Sequence, residues 1–332
     1  MSDHLTEGQR ALATLLREHT GSEFSAEALE MVAEGASGRC IMRATAPGCG
    51  GIIGIYWTPD RADNGSFLPA AHGLQRAGVQ VPAVLAEREL ANGCGACLVE
   101  DLGRQSLLSL REEPWPTRRA AYAAALRQLH RLHRAKADWP LQPPFDTELY
   151  RWEQGYFAEH YLQRHRGLSE QEAQQWLHSP AAQELAHTLA ALPRCPIHRD
   201  FQSQNIMLRG GEAWLIDFQG MRHGLPEYDL AALICDPYME LSAEEQAELL
   251  ELWAHITAAP LRQDVYAACA LQRLMQALGA FANIGYNAHR PWYLKLIPAG
   301  ERALQQTCAT APPHSPAARL ALCLQPFVTP SV

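Results

Sequence analysis

The chain has 332 residues, 47% hydrophobic and 19% charged, the balance of a soluble globular protein long enough for two lobes. Its net charge of −8 argues against a nucleic-acid partner, which needs a concentrated basic face, and no apolar run reaches the length of a membrane span. Nine scattered cysteines, and an opening Met1-Ser2-Asp3-His4-Leu5-Thr6-Glu7 with no basic-then-apolar signal, fit reduced thiols in a cytoplasmic protein. In chain order, residues 5–18 carry the spacing of an amphipathic helix. Residues 28–58 read as three strands, over 29–34, 39–44 and 51–58, with Gly35-Ala36-Ser37-Gly38 joining the first two. A helix is expected over 66–78 and two further strands over 83–89 and 96–100. Cys94-Gly95-Ala96-Cys97 has a metal-type spacing, but no second pair or nearby histidine completes a zinc site, so it reads as a glycine-rich turn.

Leu98-Val99-Glu100-Asp101-Leu102-Gly103 is an apolar strand running into an acidic turn. It closes an N-terminal lobe, 1–102. The remainder, 103–332, is mainly helical: 120–136, 148–164, 170–191, 243–257 and 265–282 show apolar spacings of three and four. His130 and His133 lie three apart on the first of these and lack a third ligand, so a helix surface is expected there rather than a metal pair. Residues 311–316 read as a loop and 317–324 as a last helical piece.

The densest signal lies between these helices. Ala191-Leu192-Pro193-Arg194-Cys195-Pro196 breaks a helix, and Ile197-His198-Arg199-Asp200-Phe201-Gln202-Ser203-Gln204-Asn205 follows. Ile206-Met207-Leu208, Arg209-Gly210-Gly211 and Ala213-Trp214-Leu215-Ile216 then make strand, tight turn and return strand, delivering Asp217-Phe218 beside Asn205. His-Arg-Asp, four residues, and Asn is the pattern of the protein-kinase catalytic loop, and Asp-Phe that of its metal-binding turn. On that template Asp217 and Asn205 serve Mg²⁺ held between the phosphates of ATP, and Asp200 faces the acceptor hydroxyl and takes its proton. Carboxylate and amide oxygens suit a hard cation. His198 supports the loop. Asp229, in the first turn of the helix begun by Glu227-Tyr228-Asp229-Leu230, is placed to accept backbone N–H bonds from it. Ahead of such a loop, Ser37 and its glycines are candidates for phosphate contact, and the backbone of Glu100 and Leu102 for an adenine.

These motifs resemble the aminoglycoside phosphotransferase group of small-molecule kinases, through His198-x-Asp200-x4-Asn205, Ile216-Asp217-Phe218-Gln219-Gly220 and Tyr228-Asp229-Leu230-Ala231. The resemblance implies an α+β, protein-kinase-like bilobal fold, with a small β-rich lobe and a larger helical one. A closer likeness, to the cell-wall amino-sugar anomeric kinases, rests on His198 to Met207 and on Ala232-Leu233-Ile234-Cys235-Asp236-Pro237-Tyr238. It also rests on Leu271-Gln272-Arg273, Ala277-Leu278-Gly279, Ala36-Ser37-x-Arg39 with Arg43, and Gly78-Val79-x-Val81-Pro82. It implies ATP-dependent phosphorylation of the C1 hydroxyl of N-acetylmuramate and N-acetylglucosamine in peptidoglycan recycling. A nucleotidyltransferase would then act downstream.

One departure from the wider kinase pattern stands out. Lys136 and Lys295 are the chain's lysines, so none precedes residue 136, and Trp57 occupies the expected position of the phosphate-binding lysine. The amino-sugar kinases that the chain resembles lack it as well. Arg39 or Arg43 would supply the charge, since a guanidinium clamps phosphate oxygens through a planar fork. Arg273, a charge among apolar helix positions, is either an acceptor contact or a buried structural arginine. Two alternatives stay open: a different hydroxyl acceptor, aminoglycoside or choline-like, and a nucleotide-binding pseudokinase.

Overall fold

The structure is a computed structural model that describes residues 2–21, 29–34, 39–46, 50–61 and 63–328. Five antiparallel strands, β1 (Glu30–Glu34), β2 (Cys40–Ala46), β3 (Gly50–Trp57), β4 (Val84–Glu89) and β5 (Gly95–Glu100), form one sheet in the order β1-β2-β3-β5-β4. The register pairs Cys40 with Tyr56 and Ile52 with Glu100, and alternation along the strands then sorts side chains to two faces. Met42, Ala44, Ile52 and Tyr56 pack with Leu12 and Leu16 of helix α1 (Ser2–Thr20). Ile55, Trp57, Cys97 and Val99 pack with Phe67 and Leu74 of α2 (Phe67–Arg76). Gly54 lets α1 lie close to the sheet, because a Cβ there would come within 2.9 Å of Leu12.

The helical lobe comprises α3 (Trp115–Arg134), α4 (Thr147–Phe157), α5 (Glu170–Leu177), α6 (Pro180–Ala190), α7 (Pro226–Ile234), α8 (Ala243–Thr257), α9 (Gln263–Tyr286), α10 (Ile297–Thr310) and α11 (Pro316–Val328). α4 runs on into a π-helical stretch, Ala158–His165. The single helix expected over 170–191 is two, α5 and α6. Ser179 starts the second by accepting the Ala182 N–H, with Pro180 at the first helical position, where no N–H is needed. α9 is the central post, buried along most of its length and packed by α4, α7 and α10. Gly279 brings α4 against it: a Cβ there would press on the Phe157 backbone at 3.2 Å.

Two hairpins carry the site. β6 (Cys195–Ile197) pairs with β9 (Arg222–Gly224), and β7 (Ile206–Arg209) with β8 (Glu212–Leu215). The second turns on Gly210 and Gly211, both at positive φ (61° and 79°), as a tight two-residue hairpin requires. No disulfide joins the described cysteines. Among the described residues no helix is long and apolar enough to cross a membrane.

Candidate active site

The loop from His198 to Asn205 is short of secondary structure, so its backbone groups need partners from elsewhere. α7 supplies them from both ends. In its first turn Asp229, fully buried, accepts the N–H of His198 at 2.7 Å and that of Arg199 at 2.8 Å. Beyond its last turn, buried Asp236 accepts the N–H of Ser203 at 2.8 Å and of Tyr238 at 3.0 Å. Burial pushes the Asp236 carboxyl above its ordinary range, against the pull of those donors. Arg199, whose N–H makes the second of these bonds, sits at φ 77°, a left-handed conformation unusual outside glycine. Asn205 donates to the Asp200 carbonyl at 2.9 Å and so closes the loop on itself.

The β7–β8 hairpin returns the chain to this loop, where the Ile216 N–H meets the Asn205 carbonyl at 3.1 Å. His198 Nε2 reaches the Ile216 carbonyl at 3.0 Å. Asp217 follows, at φ 62°. Its Oδ1 takes both the Arg39 guanidinium and Gln219 Nε2, the latter at 3.0 Å, while Arg39 also donates to Gln219 Oε1 at 2.8 Å. Burial raises the Asp217 carboxyl, but Arg39 and Gln219 outweigh it and hold it below the usual carboxylate range. Phe218 stacks on Phe67 of α2, ring centres 5.1 Å apart, which fixes the turn to the small lobe.

Arg43 is engaged differently. It forks onto Asp101 at 2.6 and 3.0 Å and donates to the Gly103 carbonyl at 2.9 Å, bracing the connection between the lobes. Burial raises the Asp101 carboxyl; Arg43 and the Gly103 N–H together bring it below its ordinary range. The Glu100 N–H is already spent on the Ala83 carbonyl at 2.9 Å, and its carboxylate pairs with Arg209 at 2.7 Å. Ser37 lies outside the described residues. Ile53 and Ile55 of β3 face the cleft, whereas Trp57 is not among its lining residues and instead covers Gly95. Arg39 is therefore the cation that stands at Asp217.

A cleft of about 550 Å³ joins these parts. Its walls include Ile53, Ile55 and Val99 from the sheet, Arg39 and Leu102 from residues flanking its strands, Asp200, Asn205, Asp217 and Phe218 from the loops, and Arg290 and Tyr293 from the segment after α9. Arg273 is buried behind this wall: it donates to Gln202 at 3.1 Å and lies 3.8 Å from Asp200. Among the described residues Asn205 Oδ1 and Asp217 Oδ2 have no protein partner. Two hard oxygen donors beside an open cleft fit a Mg²⁺ ion that shares its remaining ligands with phosphates and water.

Two neighbours were not expected from the sequence, Arg290 and Tyr293, and Asp101, Gln219 and Asp236 were visible only as parts of motifs. His133 corrects an expectation, since it does not lie on a helix surface. Its Nε2 is 3.2 Å from Asp229 Oδ2 and its ring packs edge-on against Trp253. Asp229→Ala strips the acceptor from two backbone N–H groups, each worth about 1–3 kcal/mol when left without a partner in the interior. Chemical denaturation is expected to show a loss of several kcal/mol with turnover reduced in parallel; unchanged stability would contradict the anchoring geometry.

The comparisons with known proteins agree on one fold. A model of the phosphotransferase enzyme family (APH) matches residues 61–271. The N-acetylmuramate/N-acetylglucosamine kinase of Pseudomonas putida is 28% identical over 296 residues, covering 86% of this chain and 85% of that one. A choline/ethanolamine kinase family protein of Mesorhizobium loti superposes with a TM-score of 0.63 at 17% identity, over 97% of this chain and 99% of that one. The amicoumacin kinase hAmiN, solved in complex with AMP-PNP, Ca²⁺ and Ami, gives 0.63 at 13% identity, over 92% and 97%.

Proposed function

Since the chain belongs to the phosphotransferase enzyme family and is a kinase with a hydroxyl acceptor, we propose that it moves the γ-phosphate of ATP to the C1 hydroxyl of N-acetylmuramate and N-acetylglucosamine, in peptidoglycan recycling. The observation that carries the reading is the convergence of Asp200, Asn205 and Asp217 on one cleft. Adenine sits against Ile53, Ile55 and Val99, with the Leu102 N–H and the Glu100 carbonyl as its backbone partners. Asn205 and Asp217 hold Mg²⁺, which when bound neutralises phosphate charge as it develops. Arg39 takes the place of the absent lysine, and Arg43 keeps the hinge in register. His198 and Asp229 hold the loop.

Asp200 orients the acceptor hydroxyl and accepts its proton as the phosphorus–oxygen bond forms and ADP leaves. A carboxylate is a weak base, and an anomeric hydroxyl is more acidic than an ordinary alcohol, so donor and acceptor are better matched than for a simple alcohol. Arg273, through Gln202 and its own charge, steadies Asp200.

Charge supports this acceptor class. Cationic acceptors such as aminoglycosides or cholines call for carboxylates without partners. Here Asp63 pairs with Arg61 at 3.2 Å, Glu100 with Arg209, Asp101 with Arg43, and Asp217 with Arg39. Such a wall suits a neutral or anionic sugar. A coupled ADP assay with ³¹P detection over amino sugars, aminoglycosides and choline, in Mg²⁺ and ATP, is expected to give turnover and an anomeric phosphate with the amino sugars. Turnover confined to the amines would overturn the acceptor assignment, and metal-dependent ATP binding with no turnover would make the chain a pseudokinase.

A further inference from the structure

The charges lining the cleft nearly cancel in pairs, and the one left over identifies what the acceptor carries. Among the described residues five arginines line it: Arg39, Arg43, Arg61, Arg199 and Arg290. The first three contact Asp217, Asp101 and Asp63 directly. Arg199 has no such contact, but the field of Asp200 and of fully buried Glu153 more than offsets the burial that works against its charge. Arg290 is different. Among the described residues its guanidinium has no hydrogen bond, ion pair or aromatic face, although it is half-buried at the cleft.

The backbone that carries Arg290 is well anchored. Its N–H donates to the Ile284 carbonyl at 3.2 Å, and its carbonyl accepts the Tyr293 N–H at 3.1 Å. Leu294 lies on Gly285, where a Cβ would come within 2.3 Å of it, so the segment after α9 folds back tightly on the helix end. Tyr293 packs at 6.3 Å from Phe281 and at 4.0 Å from Trp292. A guanidinium facing a cleft from so fixed a base, beside an aromatic wall, is arranged to receive an anion attached to an apolar-faced ring. Arg290 belongs to the helical lobe, which also supplies Asp200; the nucleotide side is built from the sheet.

We propose that Arg290 is a specificity-determining residue that binds a carboxylate carried by the acceptor sugar, so that the enzyme prefers the acidic amino sugar to its neutral counterpart. This rests on the sugar-kinase reading above. N-acetylmuramate bears such a carboxylate and N-acetylglucosamine does not, so the two make a matched pair, and the methyl ester of the first isolates the charge.

The test measures kcat/KM on all three sugars, with calorimetric binding of each in the presence of a non-hydrolysable ATP analogue, for the wild-type chain, Arg290→Gln and Arg290→Lys. A charge-assisted pair of this kind corresponds to roughly a 10- to 100-fold preference. The acid-to-neutral ratio is expected to fall by about that factor in Arg290→Gln, chiefly in KM, and to recover partly in Arg290→Lys. Esterification should cost the wild type the same factor and Arg290→Gln almost nothing. A ratio unchanged by Arg290→Gln, an ester bound as well as the acid, or a matching loss of nucleotide affinity in the variant would each overturn the inference. Turnover of the neutral sugar by the wild type separates the two claims: with it, the kinase reading stands even where the Arg290 inference falls, and binding of no sugar at all sinks both.

Discussion

Asp200→Asn is expected to lower kcat by roughly 10²–10⁴-fold while leaving the dissociation constant for ATP within a few-fold of wild type. The substitution keeps the shape and removes the charge that orients the acceptor hydroxyl and receives its proton. Neighbouring geometry makes the result readable. Among the described residues Asp200 pairs with Arg273 at 3.8 Å, and the Asp200 side chain is about a third exposed, so little of the fold leans on it. The loop is held instead through backbone groups, by Asp229, Asp236 and Asn205. A melting temperature close to wild type, together with collapsed turnover, places the effect in the chemical step. Full activity in the variant would remove Asp200 from the mechanism, and a parallel loss of ATP binding would move it to the nucleotide side.

The two-lobed α+β fold was legible because its elements are locally written. The first strands are set off by glycines, α8 was delimited at both ends, and the β7–β8 hairpin is announced by Gly210-Gly211. What failed did so for local reasons. Residues 170–191 keep helical spacing across Ser179-Pro180, so periodicity hid the break that the Ser179 cap and Pro180 enforce. β6 and β9 are three residues each, too short for a pattern. The site was legible only along the chain. Arg39 and Arg43 lie four apart in sequence and look equivalent; what separates them is the carboxylate opposite, Asp217 for one and Asp101 for the other. His133 looked like a surface residue because nothing near it in sequence shows that Asp229 lies against it. Arg290 follows no motif, and its significance comes from the other arginines around the cleft: Arg39, Arg43 and Arg61 contact carboxylates, and Arg199 lies in the field of Asp200 and Glu153.

Asp217→Asn is the second large effect, and it acts on two charges together. The substitution removes the anionic oxygen offered to Mg²⁺ and takes the carboxylate away from Arg39, whose side chain is 6% exposed and still donates to Gln219. Charge stabilisation of a phosphoryl transfer by a bound metal is worth several kcal/mol, so turnover is expected to fall by about three orders of magnitude or more. The apparent Mg²⁺ requirement should rise in the same variant, measured as the metal concentration for half-maximal rate. Stability carries an independent signature. Arg39 and Gln219 outweigh burial and depress the Asp217 carboxyl, so the carboxylate contributes stability above its unfolded pKa and loses it only as pH falls through the lower folded value. The variant should therefore melt below wild type at neutral pH, with the gap closing toward acid. A gap independent of pH would mean that the Arg39–Asp217 pair does not set it, and unchanged metal dependence would mean that Asp217 does not serve the ion.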